Sequence, residues 1–144
     1  MDKLYKIFLK TIMIKEPHVI NIGEPFSRTW DMFKTYDIRH LPIVDDNGIL
    51  KGIVTQRDLY RIESPRMTQD GELMYVKDSL DAHILKQVMT RDVFTLSPDD
   101  TLGTALDAMI REKYGCIPIV DDRKHLVGII TRANVLETVS EYFI

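Results

Sequence analysis

The sequence predicts an α/β (α+β) fold made of two pseudo-symmetric β-α-β-β-α units. The first observation behind this is an internal repeat. Residues 41–55 read LPIVDDNGILKGIVT and residues 117–131 read IPIVDDRKHLVGIIT. Nine of these fifteen positions are identical, and two more exchange one aliphatic residue for another. The second is register: Pro42 and Pro118 lie 76 residues apart, and no gap is needed to the end of either stretch. The third is size. A unit this small cannot bury its apolar face alone, so two copies facing each other make one body with a cleft between them, a usual place for a ligand.

The elements follow in the same order in each copy. Leu4, Ile7, Phe8 and Ile12 fall at helical spacing and predict a short amphipathic helix before the first repeat. Its counterpart is residues 82–89, with Ile84, Leu85, Val88 and Met89 apolar. A short strand follows at 19–22, matched by 93–96. The turns Gly23-Glu24-Pro25 and Ser97-Pro98-Asp99-Asp100 come next. A helix then carries Phe26, Trp30 and Phe33 on one face, and in the second copy Leu102, Ala105, Leu106, Met109 and Ile110. Trp30 reads as core. Two strands come after it, at 41–44 and 49–54 around Asp45-Asp46-Asn47-Gly48, whose Asn-Gly is a hairpin signal. Their counterparts are 117–120 and 126–130 around Asp121-Asp122-Arg123-Lys124-His125. The paired aspartates read as turn formers. A helix from Gln56, and another from Arg132, closes each unit. The boundaries are thus 1–62 for a first unit with its N-terminal helix, 63–80 for a polar inter-repeat loop with breakers Pro65 and Gly71, and 81–144 for the second unit. A loop of that length reads as mobile or partner-facing.

Composition narrows the function. The chain has 144 residues, 44% hydrophobic and 28% charged, which suits one compact domain. A net charge of −3 gives no basic footprint, so nucleic-acid binding is not expected. No apolar run is long enough for a signal peptide or a membrane span, because Lys3, Lys6 and Lys10 interrupt the N-terminus. The single cysteine, Cys116, reads as a buried apolar thiol, and the absence of a disulfide framework fits a cytoplasmic protein. His18, His83 and His125 stand apart without metal-ligand spacing, so no metal site is expected.

The strand-to-helix corner is the best candidate for chemistry. The first copy reads Gly52-Ile53-Val54-Thr55-Gln56-Arg57-Asp58, with Thr55 at an N-cap and Asp58 three residues on. As structure alone, this is a capping pair. As a site, a carboxylate has two acceptor oxygens for the two hydroxyls of a ribose, a Thr hydroxyl beside it can donate, and Gly52 lets backbone pass close to a ligand. The second copy reads Gly128-Ile129-Ile130-Thr131-Arg132-Ala133-Asn134. Asn134 replaces the carboxylate with a neutral amide, so the two corners should differ.

These features together resemble the cystathionine-β-synthase (CBS) domain family, as a tandem pair. The resemblance rests on the h-P-I-V-D strand (h, aliphatic), the G-h-h-T-x-x-D corner and the pairing of two units, and it covers residues 12–138 apart from the central loop. It implies two sheets packed face to face in a disc-like body, often doubled into a homodimer, with two clefts that bind AMP, ADP, ATP, S-adenosylmethionine or NAD. By position, Thr55 with Asp58, and Thr131 with Asn134, would hold ribose; Arg57 and Arg132 belong to the same corners. Ile20, Asn21 and Ile22, and Phe94, Thr95 and Leu96, would offer backbone groups and an apolar wall to adenine. Residues entering the second strand of the opposite repeat would reach the phosphates: Arg39, His40, Leu41 and Pro42 for the Thr131 site, and Gly115, Cys116, Ile117 and Pro118 for the Thr55 site. The short format, with a long loop beginning Ser64-Pro65, is similar to the stand-alone CBS-pair proteins linked to acetoin utilisation.

The expectation is a non-catalytic regulatory module that binds an adenosine-containing ligand and needs no cofactor. There is no nucleophile–base pair, Gly-rich phosphate loop or metal cluster to suggest an enzyme. The alternative is a ligand-free dimerisation or scaffold module. Trp30, Met32, Phe33 and Tyr36 do not fit one narrow stripe, and Leu59, Tyr60, Val135 and Leu136 lie on the closing helices. Surplus apolar surface of this kind, with the resemblance, predicts a homodimer. The regulated protein partner is not named by the sequence.

Overall fold

A computed structural model describes residues 2–144. In chain order it has a 3₁₀ turn (Asp2–Tyr5), α1 (Leu9–Ile12), β1 (Ile14–Lys15), β2 (Ile20–Asn21), α2 (Ser27–Tyr36), β3 (His40–Val44), β4 (Leu50–Thr55) and α3 (Gln56–Ile62). Then come β5 (Arg66–Met67), β6 (Leu73–Met74), α4 (Lys77–Asp81), α5 (Leu85–Val88), α6 (Leu102–Glu112), β7 (Cys116–Val120), β8 (Leu126–Thr131) and α7 (Arg132–Phe143). The mixed α and β composition is the expected one.

The chain forms two compact units. One is contiguous, His18–Asp92; the other joins the described residues up to Pro17 to Val93–Ile144. These compact units are not the same as the sequence repeats, 1–62 and 81–144. The reason is main-chain pairing. β1 is antiparallel to β8, with Ile14 opposite Ile129 and Lys15 opposite Gly128. Leu9 N donates to Asp100 O and Leu102 N to Ile7 O, both at 2.9 Å. Leu9 is itself fully buried in the discontinuous unit's core. By the same logic Thr90, just after α5, exchanges both backbone bonds with Ile53 of β4. The segment leading into each repeat is built into the sheet of the other.

In the contiguous unit the sheet order is β2-β3-β4, with β2 parallel and β4 antiparallel to β3. The apolar run Leu41-Pro42-Ile43-Val44 is buried on β3. Its core gathers Ile20, Phe26, Leu41, Ile43, Val54 and Leu59. α2 ends in a left-handed residue, Asp37. In the discontinuous unit β8 lies between β1 and β7, over a core of Leu9, Leu102, Ala105, Ile117, Ile119, Ile130 and Val135.

Three expectations need correction. Residues 63–80 are not a plain loop. They hold the β5–β6 hairpin and most of α4, and Tyr75 and Leu80 are buried in the contiguous core. Asp81 then caps α2: its carboxylate accepts from Ser27 N at 2.8 Å and from Ser27 Oγ at 3.1 Å. The polar composition of the segment hid the two apolar anchors that fix it. The strand expected at 93–96 is reduced to one bridge, Leu96 to Ile119. The expected N-terminal helix is broken into a 3₁₀ turn and α1, with Phe8 extended between them. Of the surplus apolar residues, Met32, Phe33, Leu59 and Val135 are buried and Trp30 is partly buried against Tyr75, whereas Tyr36, Tyr60 and Leu136 stay exposed.

The two repeat hairpins, β3–β4 and β7–β8, solve one problem differently. Asp45 Oδ1 accepts from Asn47 N and Ile49 N, and Asp121 Oδ1 from Arg123 N and His125 N. These bonds, Ile49 and His125 foremost, hold both carboxyls below the usual aspartate range, as turn formers should be. The left-handed position is Gly48 (φ 78°) in the first hairpin but Lys124 (φ 67°) in the second. A Cβ there is strained. Lys124→Gly is therefore expected to stabilise the protein by about 0.5–1 kcal/mol, read as a higher denaturation midpoint. A midpoint that stays put or falls would show that the turn carries no such strain.

Candidate functional site

The site is built where β4 turns into α3. Thr55 keeps an extended backbone (φ −117°, ψ 161°) as the N-cap, and the two residues bond reciprocally. Thr55 Oγ1 accepts from Asp58 N at 3.1 Å, and Asp58 Oδ2 accepts from Thr55 N at 2.9 Å. Two helix-end N–H groups are thereby satisfied. Asp58 is buried, and its other oxygen, Oδ1, pairs with the Arg61 guanidinium. The antiparallel register sets His40 opposite Thr55, and Gln56 N donates to Arg39 O at 3.0 Å. One edge of this unit thus assembles Thr55, Asp58, Arg39 and His40. The resemblance assigns Arg39 and His40 to the Thr131 site; the hairpin places their backbone beside Thr55.

The β8–α7 corner repeats the geometry but not the wiring. Thr131 Oγ1 accepts from Asn134 N at 3.1 Å. The Asn134 amide, however, turns its Nδ2 to the Ile12 carbonyl at 2.9 Å, and its buried Oδ1 has no hydrogen-bond partner. A carboxylate could not donate to Ile12 O, which gives the Asp-to-Asn exchange a structural reason. Cys116 lies opposite Thr131, and Arg132 N donates to Gly115 O. Burial pushes the Cys116 thiol up to about 12, so it stays protonated and unreactive. Arg132 also donates through Nη2 to Lys113 O at the end of α6.

The other candidates divide by burial. The side chains of Ile20, Leu41 and Ile117 are fully buried in their own units, and Pro42, Leu96 and Pro118 are buried as well. Asn21 closes its own turn: its Oδ1 accepts from Gly23 N and its Nδ2 donates to Asp46. Ile22 and Thr95 are half-buried and Arg57 is exposed. Phe94 is partly exposed and stacks on Tyr114 with ring centroids 5.0 Å apart. Gly52 serves the chain, not an open approach. A Cβ there would stand 2.7 Å from Thr90 O and 2.6 Å from Met89 Sδ, and at Gly128 it would meet Met13 Sδ at 2.6 Å and Ile14 O at 3.0 Å. Sequence reasoning missed Arg61, although an arginine one helical turn beyond a carboxylate is a readable i,i+3 pair.

Among the described residues, no group of three or more His, Cys, Asp or Glu side chains converges to hold a metal ion, and no helix is long and apolar enough to cross a membrane.

A family profile described as CBS domain matches residues 9–64 and again residues 85–141. The chain belongs to the CBS domain family. It is a tandem CBS pair, matched over most of its length. A CBS domain-containing protein from Dictyostelium discoideum is 29% identical, covering 92% of this chain and 90% of that one. The crystal structure of a putative acetoin utilization protein from Vibrio cholerae superposes with a TM-score of 0.77 at 30% identity, over 94% of this chain and 91% of that chain. The CBS domain pair of protein MJ0100, solved in complex with 5′-methylthioadenosine and S-adenosyl-L-methionine, gives a TM-score of 0.75 at 25% identity, over 93% and 96% of the two chains. Some relatives are far longer. The CBS pair spans only 22% of the inosine-5′-monophosphate dehydrogenase of Methanocaldococcus jannaschii, to which it is 30% identical over 88% of its own length.

Proposed function

We propose that this CBS pair is a non-catalytic regulatory module, cytoplasmic and homodimeric, that binds an adenosine-containing ligand at its Thr-x-x-Asp and Thr-x-x-Asn corners. AMP, ADP, ATP and S-adenosylmethionine are the ligands of choice. The observation that carries this reading is Asp58. Its carboxylate is nearly buried, one oxygen is locked by Thr55 N, and the other is engaged by a side chain that is 71% exposed. A ribose hydroxyl donates well to such an oxygen, because bonds to an ionised acceptor are roughly twice as strong as neutral ones. The adenosyl ligands of the MJ0100 pair support the same ligand class. Binding regulates only if the ligand favours one conformation over another.

A second reading, a ligand-free scaffold, is favoured at one corner by the bond from Asn134 Nδ2 to Ile12 O, which gives that residue a purely structural duty. Calorimetry on protein shown to be free of bound nucleotide decides between them. At least one of the four ligands is expected to bind in the micromolar range, near −8 kcal/mol. Absence of heat with all four would leave the scaffold.

A further inference from the structure

The Asp58 oxygen offered to ribose is already taken. Arg61, one turn along α3, pairs with Asp58 Oδ1 while Thr55 N holds Oδ2, so neither oxygen is unengaged. The two partners differ sharply in burial: the Asp58 side chain is 10% exposed and that of Arg61 71%. The carboxylate is thus largely covered, and the guanidinium that pairs with it is largely exposed. The other corner is wired differently. The residue 76 positions on from Arg61 is Glu137, and the Asn134 amide is committed to Ile12 O instead.

We infer that Arg61 is a latch on the first corner, competing with ribose for Asp58 Oδ1. The inference rests on the proposed adenosyl site and adds its regulation. Guanidinium and ribose hydroxyl are both donors to the same acceptor oxygen, so the ligand gains that oxygen's full strength only when Arg61 swings out. Its exposure makes that cheap, since little of the side chain is packed. It also makes the latch sensitive to salt, because an ion pair open to solvent is screened. The first corner is therefore latched in the ligand-free protein, and the second, among the described residues, has no such competitor. Arg61 is a positioning residue: it acts on ligand only through Asp58.

The test uses adenosine, which carries no charge and so does not respond to the mere loss of a positive residue. Calorimetric Kd values are measured for the wild-type chain, Arg61→Ala, Asp58→Ala and the double variant. Arg61→Ala is expected to bind adenosine about three- to tenfold more tightly, a gain that disappears in the Asp58→Ala background. Wild-type affinity is expected to improve as salt rises from about 0.05 to 0.5 M, while that of Arg61→Ala stays level. A purely structural ion pair would lower the melting temperature of Arg61→Ala without tightening the ligand. Equal or weaker binding by Arg61→Ala, or a gain that survives Asp58→Ala, overturns the latch and leaves the adenosyl site standing. No binding of adenosine to any of the four proteins removes the ribose site and the latch together.

Discussion

Asp58→Ala is expected to weaken adenosyl binding at the first corner by on the order of 1.5–3 kcal/mol, roughly ten- to a hundredfold. The variant removes an ionised acceptor fixed by the Thr55 N–H and shielded from water. It also dissolves the capping box, so a loss of about 1 kcal/mol in folding stability should accompany it. Asn134→Ala is expected to show the opposite balance. Its binding cost is smaller, because a neutral acceptor is lost, while its stability cost includes the tether to Ile12 O. Titration calorimetry and chemical denaturation on both variants separate the two effects. If Asp58→Ala binds as the wild-type chain does, with the first corner demonstrably occupied, Asp58 is not a ribose ligand.

The second large effect belongs to a glycine. Gly52→Ala is expected to destabilise the protein by about 1–3 kcal/mol, as overpacking does in a closed interior. The new Cβ would press on Thr90 O, which is main chain and accepts from Ile53 N, while Thr90 N donates back to Ile53 O. Met89 can move aside; the carbonyl cannot move without breaking the pairing. Gly128→Ala should be milder, since its nearest backbone atom, Ile14 O, is 3.0 Å away and the closer contact is the flexible Met13 side chain. Thermal melts of the two variants test the order. A Gly52→Ala protein that melts with the wild type would mean that the crossing of the 89–90 segment is not what requires glycine there.

Much of this was readable from local pattern. The Thr55–Asp58 cap, the Asp45 and Asp121 turns and the buried Cys116 each depend on residues a few positions apart or on simple burial, and the structure shows them as expected. The repeat of the Pro42 and Pro118 strands fixed the order of elements. What escaped was set at long range. No local signal tells that Ile14 pairs with Ile129, and helical spacing at Leu4, Ile7 and Phe8 pointed instead to one continuous helix packed on its own repeat. Segment 63–80 looked featureless because only Tyr75 and Leu80 bind it to the core, and Asp81 just after it caps α2 by acting 54 residues away on Ser27. At the site, the Thr and the Asp were visible. The partner of the carboxylate was not, since Arg61 lies outside the motif.

The exchange of leading segments sets an order of events during synthesis. Residues 18–92 emerge as one uninterrupted stretch, and all three strands of their main sheet are present once Thr55 has been made. The other unit has no such freedom. β1 is made long before its partner β8, which is completed only at Thr131, so Ile14 waits through more than a hundred residues for its place. At about 5–20 residues per second that wait lasts several seconds, far longer than a short hairpin needs to form. During it, an apolar segment with unpaired backbone is open to any strand edge within reach, including the same edge on a neighbouring chain.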